Sequence, residues 1–121
     1  MRPEFGNAVV AGDPTREWIV GRFVDESTLR RTDSVEVKWG VHHVGESSDW
    51  KSQPGKRTIA LLVSGQLVIH VRSGGINTFT LQTPGDYVVW DDSEEHQWEV
   101  IVDNTVVVTV RWPAVIESGR S

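Results

Sequence analysis

The chain has 121 residues, 17 acidic and 12 basic, a formal net charge of −5 and no cysteine. That length suits one domain with a single core, and the acidic balance argues against a nucleic-acid footprint, which needs a clustered basic face. The missing thiols exclude disulfides, thiolate nucleophiles and cysteine-ligated metal centres. No apolar run reaches the length of a membrane span, and the N-terminus lacks the charged-then-apolar pattern of a secretion signal, so a cytoplasmic protein is expected.

Residues 1–15, with Arg2-Pro3, Gly6-Asn7, Gly12 and Asp13-Pro14, read as a flexible, extended arm. A barrel domain is expected over 16–115 and a disordered polar tail over 116–121. Trp18 to Val24 is apolar enough for a first strand. Asp25 to Thr28 can cap one helical turn, but no helical period follows. Val35, Val37, Trp39 and Val41 alternate with Glu36, Lys38, Gly40 and His42, and period two over eight residues predicts a strand. Gly45 to Lys56 is a polar loop interrupted by Trp50. Thr58 to Val63 is continuously apolar, as in a strand covered on both sides. Ser64-Gly65 then predicts a hairpin returning through Gln66 to Arg72.

Ser73-Gly74-Gly75 is a further turn, Asn77 to Gln82 a strand, and Thr83 to Asp86 a turn. Tyr87 to Trp90, the acidic turn Asp91 to Glu95, and the alternating His96 to Val102 predict a second hairpin with His96 at its mouth. Thr105 to Trp112 is the last strand, stopped by Pro113, which cannot continue a ladder. About eight short strands, with turns every 8–12 residues and no long helix, predict an all-β antiparallel sandwich or barrel.

Two stretches narrow the choice. Thr58-Ile59-Ala60-Leu61-Leu62-Val63-Ser64-Gly65 is a strand closing on glycine, and Gly85, Asp91, Ser93 and His96 stand at the spacing of glycine, proline, glycine and histidine in a second motif. On these motifs residues 18–113 resemble the cupin superfamily. Within it, Lys38-Trp39-Gly40-Val41-His42, Gly85 to Trp90 and Val108 to Pro113 resemble small stand-alone cupins. The resemblance implies an antiparallel double-sheet jelly-roll barrel. It also implies a site built from His-x-His and Glu of the first motif and His of the second, which together hold a divalent metal. Here Gly40 stands where the first His belongs, Thr58 at the Glu position, Asp91 and Ser93 at the proline and glycine, and Val100 at a frequent asparagine.

A reduced site is therefore expected. His42 and His96 are its catalytic or metal-ligating residues, and Glu46, four residues after His42, is a replacement carboxylate. The ion would be iron, zinc, manganese or nickel, or none, because two imidazoles with waters hold a metal weakly. His42 and His43 point to opposite faces, so at most one of them is inward: His43 if the valine face packs into the barrel, His42 if the strand is covered on both sides, and the resemblance favours His42. Lys38 shares the face of His42. Inside a cavity it would be a cation that binds an anionic substrate or pairs with Glu36 or Glu94. Lys38, Trp98, Trp90 and Thr58 are expected to contact substrate, since aromatics around a histidine suit a flat apolar molecule. The acidic turn at 91–95 is a further source of a carboxylate for His96, and His70 is expected to be exposed.

The function expected is binding of a small organic ligand in the barrel, with isomerase, cyclase or oxygenase chemistry. Alternatives are a sensor or an interaction module without metal. A homodimer through open edge strands completes the expectation.

Overall fold

A computed structural model describes residues 2–113 of the chain; the tail expected at 116–121 lies outside the described residues. Among the described residues eight strands form two antiparallel sheets: β1 Trp18–Val20, β2 Glu36–His42, β3 Lys56–Ser64, β4 Leu67–Arg72, β5 Ile76–Leu81, β6 Tyr87–Trp90, β7 Glu95–Val100 and β8 Thr105–Pro113. The larger sheet runs β1-β2-β8-β3-β6 and the smaller β5-β4-β7. This is the jelly-roll architecture that the resemblance implies. No helix among the described residues is long and apolar enough to cross a membrane.

Three local expectations are corrected. The stretch before Trp18 is not extended throughout. Ala8–Gly12 is a short helix, α1, capped by Asn7, whose Oδ1 accepts from Val9 N at 2.9 Å, and Asp13–Thr15 is a single 3₁₀ turn. The first strand stops at Val20, because Gly21 turns the chain with φ +142°. Neither expected hairpin forms. β3 pairs with β6 and β8, whereas β4 pairs with β5 and β7, so Ser64-Gly65 carries the chain from one sheet to the other. The acidic turn likewise carries it from β6 in the large sheet to β7 in the small one. A glycine turn serves a hairpin and a sheet crossing equally well, and only the long-range pairing separates them. The hairpin that does form joins β4 to β5 through Ser73-Gly74-Gly75.

Register sets what the interior sees. Across the large sheet Glu36 pairs with Arg111, Arg111 with Thr58 and Thr58 with Trp90, all on the inner face. The next inner row is Lys38, Thr109, Ala60 and Val88. At the other end Leu62, Leu67, Leu81, Val100 and Val107 close the barrel with a tightly buried cluster. The alternation of β2 thus turns its polar side inward and its valines outward, the reverse of a packed-core strand. One end of the barrel is core and the other is cavity.

Candidate functional site

The cavity lies between the sheets and has a volume of about 300 Å³. Its walls come from β1 (Trp18), β2 (Lys38, His42), β3 (Thr58, Ala60), β4 (Leu67, Ile69), β6 (Trp90), β7 (His96, Trp98) and β8 (Thr109, Arg111), with Arg16, Lys51 and Gln53 from the flanking segments. The loop before β3 shapes one side. It hydrogen-bonds the free edge of β7, with Ser48 N donating to Trp98 O (3.0 Å), and Lys51 and His96 exchanging backbone bonds at 2.9 and 2.8 Å. That pairing satisfies an edge that would otherwise be open and brings Lys51 beside His96.

Five of the seven expected site residues, Lys38, Thr58, Trp90, Trp98 and His96, line this cavity together, and His42 is the sixth. His42, not His43, is inward; His43 is exposed, with Nδ1 3.3 Å from Asp103 Oδ1. The His96 ring stacks against Trp90 with centroids 4.5 Å apart, and His42 against Trp98 at 4.8 Å. His96 is 8% exposed. Burial pushes its pKa down to about 4, and the nearby charges of Lys51 and Arg111 push the same way. It is therefore neutral at ordinary pH. His70 is not exposed as expected but half-buried on the outer side of β4, bound to Thr78 and Glu99 at 2.8 and 2.9 Å.

Glu46 does not belong to the cavity wall. Its Oε1 lies 3.1 Å from His42 Nδ1, and its side chain is 44% exposed, so it approaches the imidazole from the solvent side. A carboxylate there holds the proton on Nδ1 and leaves Nε2 as the acceptor. The backbone N–H of His43 and the His42 ring together hold the Glu46 carboxyl below its ordinary range. The acidic turn sends no carboxylate to His96: Asp91 pairs with Arg57, and Glu94 accepts from the Asp91 backbone N–H at 2.7 Å. Lys38 pairs with neither Glu36 nor Glu94; its carboxylate neighbour is Glu17. Glu36 is buried and instead meets Lys56 Nζ at 2.8 Å and Arg111 Nε at 3.3 Å.

Gly40, at the position of the missing first histidine, has a local reason. A Cβ there would sit 2.7 Å from His42 Nε2, so the His42 ring occupies the space a side chain would fill. Gly40→Ala should swing that ring away and break its contact with Glu46, at a stability change under about 1 kcal/mol because only a side-chain tip must move. The ring ¹⁵N shifts of His42 report the break; an unchanged spectrum would contradict the packing.

Three residues central to the site were not singled out from the sequence: Arg111, Trp18 and Lys51. Arg111 Cζ lies 4.1 Å and Lys38 Nζ 5.4 Å from the Trp18 ring centroid. The available signal was in the last strand, where Thr105, Thr109 and Arg111 fall on the face opposite Val106, Val108 and Val110.

The sequence matches no family model and no curated protein. Solved structures do match. KdgF from a Halomonas species superposes with a TM-score of 0.61 over 69% of this chain and 74% of that one, at 15% identity. The Schizosaccharomyces pombe Cnp3 cupin domain superposes with 0.62 over 77% of this chain and 66% of that one, at 12% identity. A cupin protein from Bacteroides fragilis gives 0.58 over 69% of each chain, at 19% identity. The fold is that of the cupins.

The divalent ion that the cupin resemblance implies does not fit the residues of this chain. Among the described residues no three metal-ligating side chains come together. The expected set of His42, His96 and Glu46 is not gathered, because Glu46 stands outside the wall and the two imidazoles rest on different tryptophans. Among the described residues no carboxylate lines the cavity, while Arg16, Lys38, Lys51 and Arg111 do. A dication in that field would be repelled with no anionic ligand to offset it.

Proposed function

We propose that this cupin binds a small organic molecule in its barrel directly through protein side chains, with no metal ion in the site. The observation that carries this reading is a set of three buried polar atoms, on residues that line the cavity from both sheets, with no hydrogen-bond partner among the described residues: Thr58 Oγ1, Trp90 Nε1 and His96 Nδ1. Each such group costs about 1–3 kcal/mol when buried unpaired, so three around one cavity favour a ligand that satisfies them. Trp90 and Trp98 supply flat apolar area for its body.

The chemistry this arrangement supports is proton transfer. His42, oriented by Glu46, offers Nε2 as acceptor, and neutral His96 serves as a hydrogen-bond partner. Binding without chemistry is the second reading, favoured by the low pKa of His96, which makes it a weak base. Screening small aromatic and alicyclic compounds by thermal shift in chelator-treated buffer tests the proposal. Compounds that raise Tm should also move the Trp90 indole N–H resonance, and Thr58→Val should weaken them roughly 5- to 10-fold by removing one hydrogen bond. Stoichiometric divalent metal in the purified protein, lost together in His42→Ala and His96→Ala, would sink it. Exchange of a carbon-bound ligand proton with D₂O, abolished by His42→Ala, separates the catalytic reading from the binding one.

We also propose that the partner of this chain is a second copy, docked through the outer face of the large sheet rather than through edge strands. That face carries Val37, Trp39, Ile59, Leu61, Val108 and Val110 in paired rows, with Tyr87 and Val89 at its margin 61% and 50% exposed. Its two rows span roughly 14 Å across the four strands and about 7 Å along them, centre to centre, so they form the apolar centre of an interface whose rim completes the ~800 Å² per partner of a standard one. These rows carry no charge, which lets two copies of net charge −5 meet without repulsion there. Sedimentation equilibrium should show a dimer that Leu61→Glu converts to a folded monomer; a monomeric wild type would refute it.

A further inference from the structure

We infer that the ligand is an organic anion, a carboxylate or phosphate ester, whose acid group is held between Lys38 and Arg111 beside Trp18. This rests on the reading of the cavity as a ligand site but on a separate observation, the distribution of charge. Among the described residues four cations line the cavity and no carboxylate does, in a chain whose net charge is −5. Two of the four, Lys38 and Arg111, belong to the inner rows of the sheet, and both reach the ring of Trp18. Arg16 and Lys51 are exposed where their segments border the opening.

The nearby carboxylates do not neutralise this field. Glu36 is divided between Lys56 and Arg111, and Glu17 spends Oε2 on the Val41 backbone N–H at 3.1 Å. Among the described residues no carboxylate lies within ion-pair distance of Lys38. Burial lowers the pKa of Lys38; Glu17 opposes that shift, and Arg111 and Lys51 reinforce it. Like charges confined beside a low-dielectric wall are held at a cost that one bound anion relieves for all of them. The aromatic ring steadies both cations without consuming their hydrogen-bond donors; Arg111 turns its Nε to Glu36, and its terminal nitrogens and Lys38 Nζ are left for acid oxygens. The order along the cavity also assigns orientation. The acid group sits at Trp18, and the body reaches Trp90 and Trp98, where Thr58 and His96 meet polar substituents.

The test is calorimetric titration of the full chain with benzoate, phenyl phosphate and the neutral isostere benzamide, at low and high salt. Benzoate or phenyl phosphate should bind at least ~10-fold more tightly than benzamide, the discrimination expected of a charge-assisted contact, and should weaken as salt rises. Lys38→Met should remove most of the advantage of the acid over the amide, together with the salt dependence of acid binding. Arg111→Gln should do the same; because it also touches Glu36, Lys38→Met is the deciding variant. Equal binding of acid and amide would overturn the anion assignment and leave the ligand cavity standing. Binding of neither would overturn both.

Discussion

Gly65→Ala should lower the stability of the protein by about 3–5 kcal/mol, among the largest effects of any single methyl addition to a fold. Gly65 carries the chain from β3 in one sheet to β4 in the other with φ +92°, a conformation that L side chains avoid. An added Cβ would lie 2.6 Å from Thr105 Cα and would also overlap the Thr105 hydroxyl. Neither can yield. Thr105 is fully buried, and its hydroxyl donates to Val102 O at 2.6 Å and accepts from Gln66 N at 3.1 Å. Urea unfolding measures the loss. Gly74→Ala is the control: its φ is +69° with nothing within 4 Å, so it should lose only the ~1 kcal/mol of backbone strain. Equal losses in the two variants would mean that the sheet crossing does not pack as described.

The second large effect is a pH dependence. Between pH 6.5 and 4 the wild type should lose up to about 3 kcal/mol more stability than His96→Gln. In the unfolded chain this histidine takes a proton near its ordinary value of 6.5, and in the fold it resists until about 4. Within that window unfolding therefore takes up a proton, and acid favours the unfolded chain. Above pH 6.5 the contribution is constant, and it is gone once the pH has fallen through 4. Subtracting the variant removes the acid sensitivity of carboxylates such as Asp86 and Asp103, whose pKa values backbone hydrogen bonds lower. Parallel curves for the two proteins would show that His96 is not held in its neutral form.

Much of the architecture was legible because period-two alternation and glycine turns are local signals. They located β2, β3, β4 and β8 to within a few residues and carried the barrel reading. Pairing was not legible. Ser64-Gly65 and Asp91 to Glu95 look like hairpin turns, yet each links strands that bond to distant partners. Alternation also tells which residues share a face but not which face is inside. In β2 the valines face out and Glu36, Lys38 and His42 face in, because this end of the barrel encloses a polar cavity rather than a core. The motif spacing pointed to His42 and His96. It gave no hint of Arg111, whose position matters only once β8 is threaded between β2 and β3. Glu46, expected as a carboxylate of the site, lies beside His42 as the partner of Nδ1 and not in the cavity wall.

The central claim is that side chains alone hold a small anion in the barrel. The most direct measurement is the benzoate isotherm of the native chain before and after exhaustive treatment with EDTA. The account predicts the same Kd in both, and the same shift of the Trp90 indole resonance on binding. Loss of binding after EDTA, restored by adding back one equivalent of a divalent ion, would contradict it.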